Sequence, residues 1–323
     1  MTRKIRQGGQ WVQVSGANID SVEVVQNSVD AIDPSKLYLI ANSVTPSDLV
    51  TFRVNGKLGS GIWFGGNEMW VPPVQAVGGA ETDIMVSGTP YRVHTFTSNL
   101  DFEVLVASLN VEYLIVGAGG NGGTANSVGL YYSGGGGGAG GDVLAGVITL
   151  GNGIYACTAG AGSDSSIASV ATATKGANGG AGANPKAGNG GSNTNYTGGA
   201  GPSSASNVTG GGGGAGASAN GSNGSVSGSS ASQTGGAGGE GVLSSITGTA
   251  IVYGSGGGGG HGYGSFGIAR AGGTGAGTGA AVNNATDPIA NRGGGGGGAA
   301  GYSGPKNASN GAAGVIIIRY PLA

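Results

Sequence analysis

Few residues in this 323-residue chain are of types that do chemistry. The most suggestive pattern is Gly117-Ala-Gly119-Gly-Asn-Gly122, which follows the apolar run Val111–Val116, with the acidic Asp142 further on. A dinucleotide site of this form needs a helix next, whose N-terminal N–H groups hold the pyrophosphate. Thr124–Ser133 and then five glycines follow instead. Glycine costs about 1 kcal/mol per residue in a helix interior, so no cofactor is expected. His94 and His261 are the only histidines and Cys157 the only cysteine, too few for the three or four ligands of a metal centre. Serine is plentiful, but no nucleophile elbow or other convergent set accompanies it. The chain therefore does not read as an enzyme, and neither catalytic nor metal-binding residues are expected. Cys157 holds an alternating position in the strand-like Ile154–Thr158 and reads as a small buried hydrophobe.

Recognition is the remaining chemistry. Tyr131, Tyr132, Tyr196, Tyr263, Phe266 and Tyr302 stand in otherwise polar, small-residue segments. Rigid aromatic rings give contact area at low entropy cost, which is why they concentrate in paratopes. His261 and Arg270 bracket Tyr263 and Phe266, so His261–Arg270 reads as one contact unit. These eight residues are the candidate receptor-binding set; the alternative is that some pack as lids over the ends of the glycine region. Net charge is −2, which gives no electrostatic footprint for nucleic acid or an anionic membrane.

The elements that must position these residues follow from composition. Of 78 glycines, 11 lie in residues 1–116 and 67 in residues 117–323. The second part carries only ten charged residues, whereas an ordinary domain is about 25% charged. Residues 1–88 read as a small β-domain. Trp11–Val14, Ser21–Val25, Lys36–Ala41, Leu49–Asn55 and Ile62–Phe64 are strand-like runs punctuated by turn residues, with Asn55-Gly56 as a hairpin signal. All three tryptophans lie there. Tyr91–Thr97, Phe102–Val106 and Val111–Val116 predict three more strands. In the glycine part, Val143–Leu150, Ile154–Thr158, Val242–Ile246, Ala250–Tyr253 and the terminal Val315–Tyr320 predict others. The second domain is thus residues 89–323, and the fold class is all-β with an irregular glycine-rich region. The first residues lack the apolar stretch of a secretory signal, and no apolar run of 18 or more predicts a membrane span.

The glycine runs, such as Gly134–Gly138, break the strict three-residue phase that collagen requires. A flexible linker would not end its glycine runs in Val/Ile strands. The remaining possibility is a bundle of extended, three-residue-per-turn glycine helices joined by backbone hydrogen bonds. Its interior would admit glycine and alanine and little else, and its turns would gather at the two ends.

The blocks YRVHTFTSNLDFEV (91–104), VEYLIVGAGGNGG (111–123), GGGGGAGGDVLAGVITLGNGIYACTAGAG (134–162), VLSSITGTAIVYGSGGGGG (242–260) and GAAGVIIIRYP (311–321) occur in an order that resembles the glycine-rich domain of phage tail and fibre proteins. That resemblance implies packed polyglycine-II-like helices with variable loops. It also implies a tail-fibre or fibre-tip protein, located in the virion tail, that recognises a bacterial surface glycan or outer-membrane protein without covalent chemistry. Residues 1–88 would attach to other tail or baseplate proteins or drive oligomerisation. A homotrimer is expected, with a monomeric tip as the alternative. The rival readings are a purely structural virion component (baseplate, neck or decoration) and an ice-binding or matrix protein.

Overall fold

The computed structural model describes residues 74–322 apart from 129–130, 184–185, 204–207, 227–233, 263–269, 282 and 302–306; within residues 1–73 it describes the backbone of seven strands. The chain divides into two compact units, residues 1–75 with 323, and residues 76–322. Composition placed the division near residue 88; it falls earlier because Ala76–Val77 and Ala80–Val86 hydrogen-bond along strands of the second unit.

In the first unit β1 (Arg3–Gln7) pairs with β2 (Gln10–Val14). A five-stranded sheet runs in the order β3 (Ser21–Val25), β4 (Lys36–Ile40), β5 (Leu49–Val54), β6 (Lys57–Phe64), β7 (Asn67–Trp70). Only β3 and β4 are parallel. Val54 pairs with Lys57, the two-residue spacing that Asn-Gly favours.

The second unit is also all-β, and no described residue is helical. Its strands are β8 (Ala76–Val77), β9 (Ala80–Val86), β10 (Thr89–Phe96), β11 (Leu100–Val116), β12 (Asn126–Val128), β13 (Tyr131–Ser133), β14 (Val143–Thr158), β15 (Ser165–Ile167), β16 (Ala171–Ala173), β17 (Val208–Thr209), β18 (Val242–Ser244), β19 (Ile251–Tyr253) and β20 (Val315–Pro321). The main sheet has the order β16-β15-β14-β11-β20-β10-β9, with β8 on β11. β20 lies antiparallel between β11 and β10, so its β-branched residues are covered on both faces. Ile316, Ile318 and Tyr320 join Phe96, Phe102, Val111 and Ile115 on one face. Val315 and Ile317 join Val93, Leu114, Val116 and Tyr253 on the other. Each such side chain contributes about 1.5–3 kcal/mol on burial.

The glycine part is built differently. Consecutive residues of segment 134–142 donate in rotation to three neighbours. Gly134, Gly137 and Gly140 bond to Thr209, Gly212 and Ala215. Gly135, Gly138 and Gly141 bond to Ala299, Gly296 and Gly293, and Gly136, Ala139 and Asp142 to Gly180, Ala177 and Thr174. The same segment accepts from three more: Gly188 and Gly191, Gly260 and Gly257, Gly123 and Gly120. One chain segment is therefore surrounded by six others and joined to each at three-residue intervals. Segments 209–217 and 254–261 repeat the pattern. The bonds are 2.7–3.0 Å between N and O around segment 134–142, and each is worth roughly 1 kcal/mol net. The interior of this array is peptide backbone, with no side chain larger than a methyl along most of its length.

At the margin of the array, asparagine side chains take over the pairing. Asn178 Oδ1 accepts from the Asn121 N–H (3.0 Å), and Asn121 Oδ1 from that of Gly311 (3.0 Å). Asn189, Asn220 and Asn223 accept likewise from Gly201, Thr197 and Ala200.

Candidate binding surface at the end remote from the sheet

The array has two unlike ends, and its hydrogen-bond register says which residues lie at each. Strands leave at 116/117, 142/143, 173/174, 253/254 and 314/315. Those junctions share a level: Gly117 bonds to Asp142, Asp142 to Thr174, Gly141 to Gly293, and Gly293 to Ala313. This end meets the sheet. At the other end Gly134 bonds to Thr209, Gly188 to Gly134, Gly135 to Ala299, Ser225 to Thr234 and His261 to Ala280. The described residues flanking the connections 124–133, 183–186, 203–208, 226–233, 262–269, 281–283 and 302–306 are all at that remote level.

Short β-pairings stitch this end. β12 and β13 form a hairpin, and β13 runs parallel to β17, with Tyr132 opposite Val208. Bridges join Ala183 to Lys186, Lys186 to Ser203, and Thr209 to Val226. Thr124–Ser133, where sequence predicts no strand, is thus partly a hairpin: alternation over so few residues was too brief a signal.

The candidate receptor residues divide as follows. Tyr131 and Tyr132 lie in β13 at the remote end, and Tyr132 is half-buried. Arg270 is exposed and its carbonyl accepts from Gly279, again towards that end. His261 is at the remote level but 1% exposed. Its ring is therefore buried, which the change from glycine to polar residues at that point could not show. Tyr196 is half-buried in a turn where Asn193 Oδ1 accepts its N–H, and Asn193 also donates to Gly216, which places Tyr196 at the sheet end. Among the described candidates, the structure does not bring it to Tyr131, Tyr132 or Arg270. Tyr263, Phe266 and Tyr302 lie outside the described residues.

The remaining reactive types are occupied structurally. A Cβ added at Gly119 would lie 2.0 Å from the Gly294 oxygen, and one at Gly122 1.9 Å from that of Gly297. The Gly117–Gly122 segment is thus lined by backbone where a cofactor phosphate would need space. Cys157 is 1% exposed and burial pushes its thiol up to about 12, which keeps it protonated and unreactive. Among the described residues no group of three or more His, Cys, Asp or Glu is placed to hold a metal ion.

A family model for a glycine-rich domain matches residues 95–321. The chain belongs to the glycine-rich domain family. No curated protein matches it. The family match starts at the last two residues of β10 and runs to β20, so it takes in β11, β14 and β20 of the main sheet as well as the glycine segments, while β8, β9 and most of β10 precede it.

His94 gives the glycine-rich domain a pH-sensitive point. It is fully buried, stacked on Tyr320 and edge-on to Phe102. Nδ1 is 2.7 Å from the Gly78 oxygen and Nε2 3.1 Å from the Tyr320 hydroxyl. Burial pulls its pKa below the ordinary 6.5, against the Gly78 bond and the nearby Glu81. With a native pKa below the unfolded one, the unfolded chain binds the proton first as pH falls. The stability from neutral His94 is complete above about 6.5 and is lost progressively below it. The thermal midpoint should drop between pH 7.5 and pH 5.5, and His94→Gln should flatten that dependence. Asp83, whose pKa is held low by its bond to Arg92, loses its contribution only at more acid pH.

Proposed function

We propose that this protein is a phage tail-fibre or fibre-tip protein that recognises a bacterial surface through the remote end of its glycine array. The observation that carries the reading is the gathering of seven connections at one end, while the strands leave at the other. Tyr131 and Tyr132 lie at that end, and Tyr263, Phe266 and Tyr302 belong to two of its connections by chain order. The glycine segments are polyglycine-II-type helices in this reading. The three-residue rotation of hydrogen bonds and the six-neighbour packing support that assignment, since such a helix has three residues per turn. The N-terminal unit attaches the protein to other tail or baseplate components, and a homotrimer supplies avidity from weak single sites. The ligand is a surface glycan or outer-membrane protein of the host, bound non-covalently in the tail of the virion.

The test is binding of labelled full-length protein to intact host cells. It is compared with a variant whose residues 263–269 are replaced by Gly/Ser of equal length, and one with residues 287–290, at the sheet end, replaced the same way. Saturable binding that only the first replacement abolishes is the expected result. Equal binding by all three places recognition elsewhere. No binding by the parent protein favours a purely structural virion component.

A further inference from the structure

Charge is sparse in the array and unevenly divided between its ends. All four carboxylates between residues 117 and 314 belong to the sheet end. Asp142 bonds to Thr174, Asp164 accepts from the Lys175 N–H (2.8 Å), and Glu240 accepts from the Thr274 N–H (3.1 Å). Asp287 follows Thr286 on the path to Ile289, which bonds to Gly275 at the sheet end. Lys175 and Arg292 share that end and offset part of its charge. At the remote end Lys186 and Arg270 are both exposed. The seven connections there contain no Asp or Glu at all. Lys306 falls in one of them but lies outside the described residues.

An array whose interior is uncharged backbone does nothing to mask such a separation. The remote end is positive and the sheet end negative, although the whole chain has a net charge of −2. Two cations without a neighbouring carboxylate set a positive potential over the same surface that presents Tyr132. Potentials of this kind steer charged partners and raise encounter rates by about 10–10³-fold, more at low salt than at high.

We infer that the ligand of the remote end is an acidic surface polymer, a polysaccharide or polyol chain bearing carboxylate or phosphate groups. This rests on the recognition role proposed above. The cations contact the acidic groups, while tyrosine rings stack on the polymer backbone. Arg270 can take a carboxylate or phosphate in bidentate fashion and Lys186 acts as a point charge. A neutral glycan could use the rings but would gain nothing from the charges.

The experiment measures binding of full-length protein to surfaces coated with polygalacturonate, polyglycerol phosphate or neutral dextran, alongside binding to intact host cells. Binding to one or both anionic polymers but not to dextran is expected, with affinity falling steeply as salt rises from about 50 to 200 mM because the Debye length shortens to about 8 Å near the upper value. Which polymer binds better tells carboxylate from phosphate. Lys186→Gln with Arg270→Gln should weaken that binding about ten-fold or more, whereas Glu240→Gln with Asp287→Asn at the sheet end should leave it within two-fold; retained glycine amide protection shows that both variants fold. Equal binding to dextran, salt-independent binding, or an unaffected Lys186/Arg270 variant overturns the inference. Cell binding without binding to either anionic polymer overturns it too while leaving the recognition role intact. Loss of binding to cells and polymers alike removes both.

Discussion

Gly137→Ala is expected to destabilise the glycine-rich domain by at least about 3 kcal/mol, the upper end of what an added methyl costs in a side-chain core. A Cβ at Gly137 would lie 2.1 Å from the Gly257 oxygen, 2.6 Å from its carbonyl carbon and 3.0 Å from the Gly214 nitrogen. All three are backbone atoms. A crowded side chain can change rotamer, but these segments can only separate, and separating them breaks the bonds from Gly137 to Gly212 and from Gly257 to Gly138. The cost is specific to position, since Ala139, two residues on, is fully buried and already carries a methyl. Gly151→Ala is the control: its nearest neighbour is the Ala107 oxygen at 3.9 Å, and its effect should stay within about 0.5 kcal/mol. Hydrogen exchange of the glycine amides under denaturant measures both. Protection unchanged in Gly137→Ala would mean that the array tolerates local spreading.

Ending the chain after Gly314 is expected to abolish folding of residues 76–322. β20 lies between β11 and β10 in the main sheet, and five of its residues (Val315, Ile316, Ile317, Ile318 and Tyr320) are 0–2% exposed. At about 1.5–3 kcal/mol each, their loss is of the order of the 5–15 kcal/mol that holds a whole domain folded. The deletion also removes the Arg319–Glu112 pair (2.7 Å) and the Tyr320 hydroxyl beside His94. Ile317→Ala is a milder test, with an expected cost of about 2–5 kcal/mol. Loss of amide protection in both the sheet and the array is the expected readout of the deletion. A deletion variant with a protected array would show that the glycine segments fold without the sheet.

Strands rich in Val, Ile and Tyr were legible in the sequence. Val315–Tyr320 and Tyr91–Thr97 emerge as β20 and β10 within a residue or two. Two pairs of expected strands are each one long strand. Phe102–Val106 and Val111–Val116 fuse into β11, and Val143–Leu150 and Ile154–Thr158 into β14. Ala107–Asn110 and Gly151–Gly153 look like breaks in isolation, but β11 and β14 face each other there and pair through a register shift between Val104 and Ser108. Local propensity could not show that compensation. The order of the glycine segments was not legible either. Neighbours are normally specified by side chains that fit, and Gly134–Gly138 offers none, so its contacts with residues 209–215, 293–299 and 174–180 follow from where the strands and turns anchor each run. The polarity of the array was hidden for the same reason, because which connections share an end depends on that order. The burial of His261 was not legible either, because a polar residue after a glycine run looks like the start of a loop.

The asparagines at the margin carry a consequence for how such molecules behave in company. An exposed row of unpaired N–H groups is a template on which another chain can pair. Where Asn121 accepts from Gly311, Asn189 from Gly201, Asn220 from Thr197 and Asn223 from Ala200, each donor already has a partner from within the molecule. A lattice of hydrogen-bonded glycine segments has no intrinsic width and could grow sideways, copy upon copy, into a crystal-like fibre. At these positions it finds no free donors on which to begin, and the domain keeps a finite size.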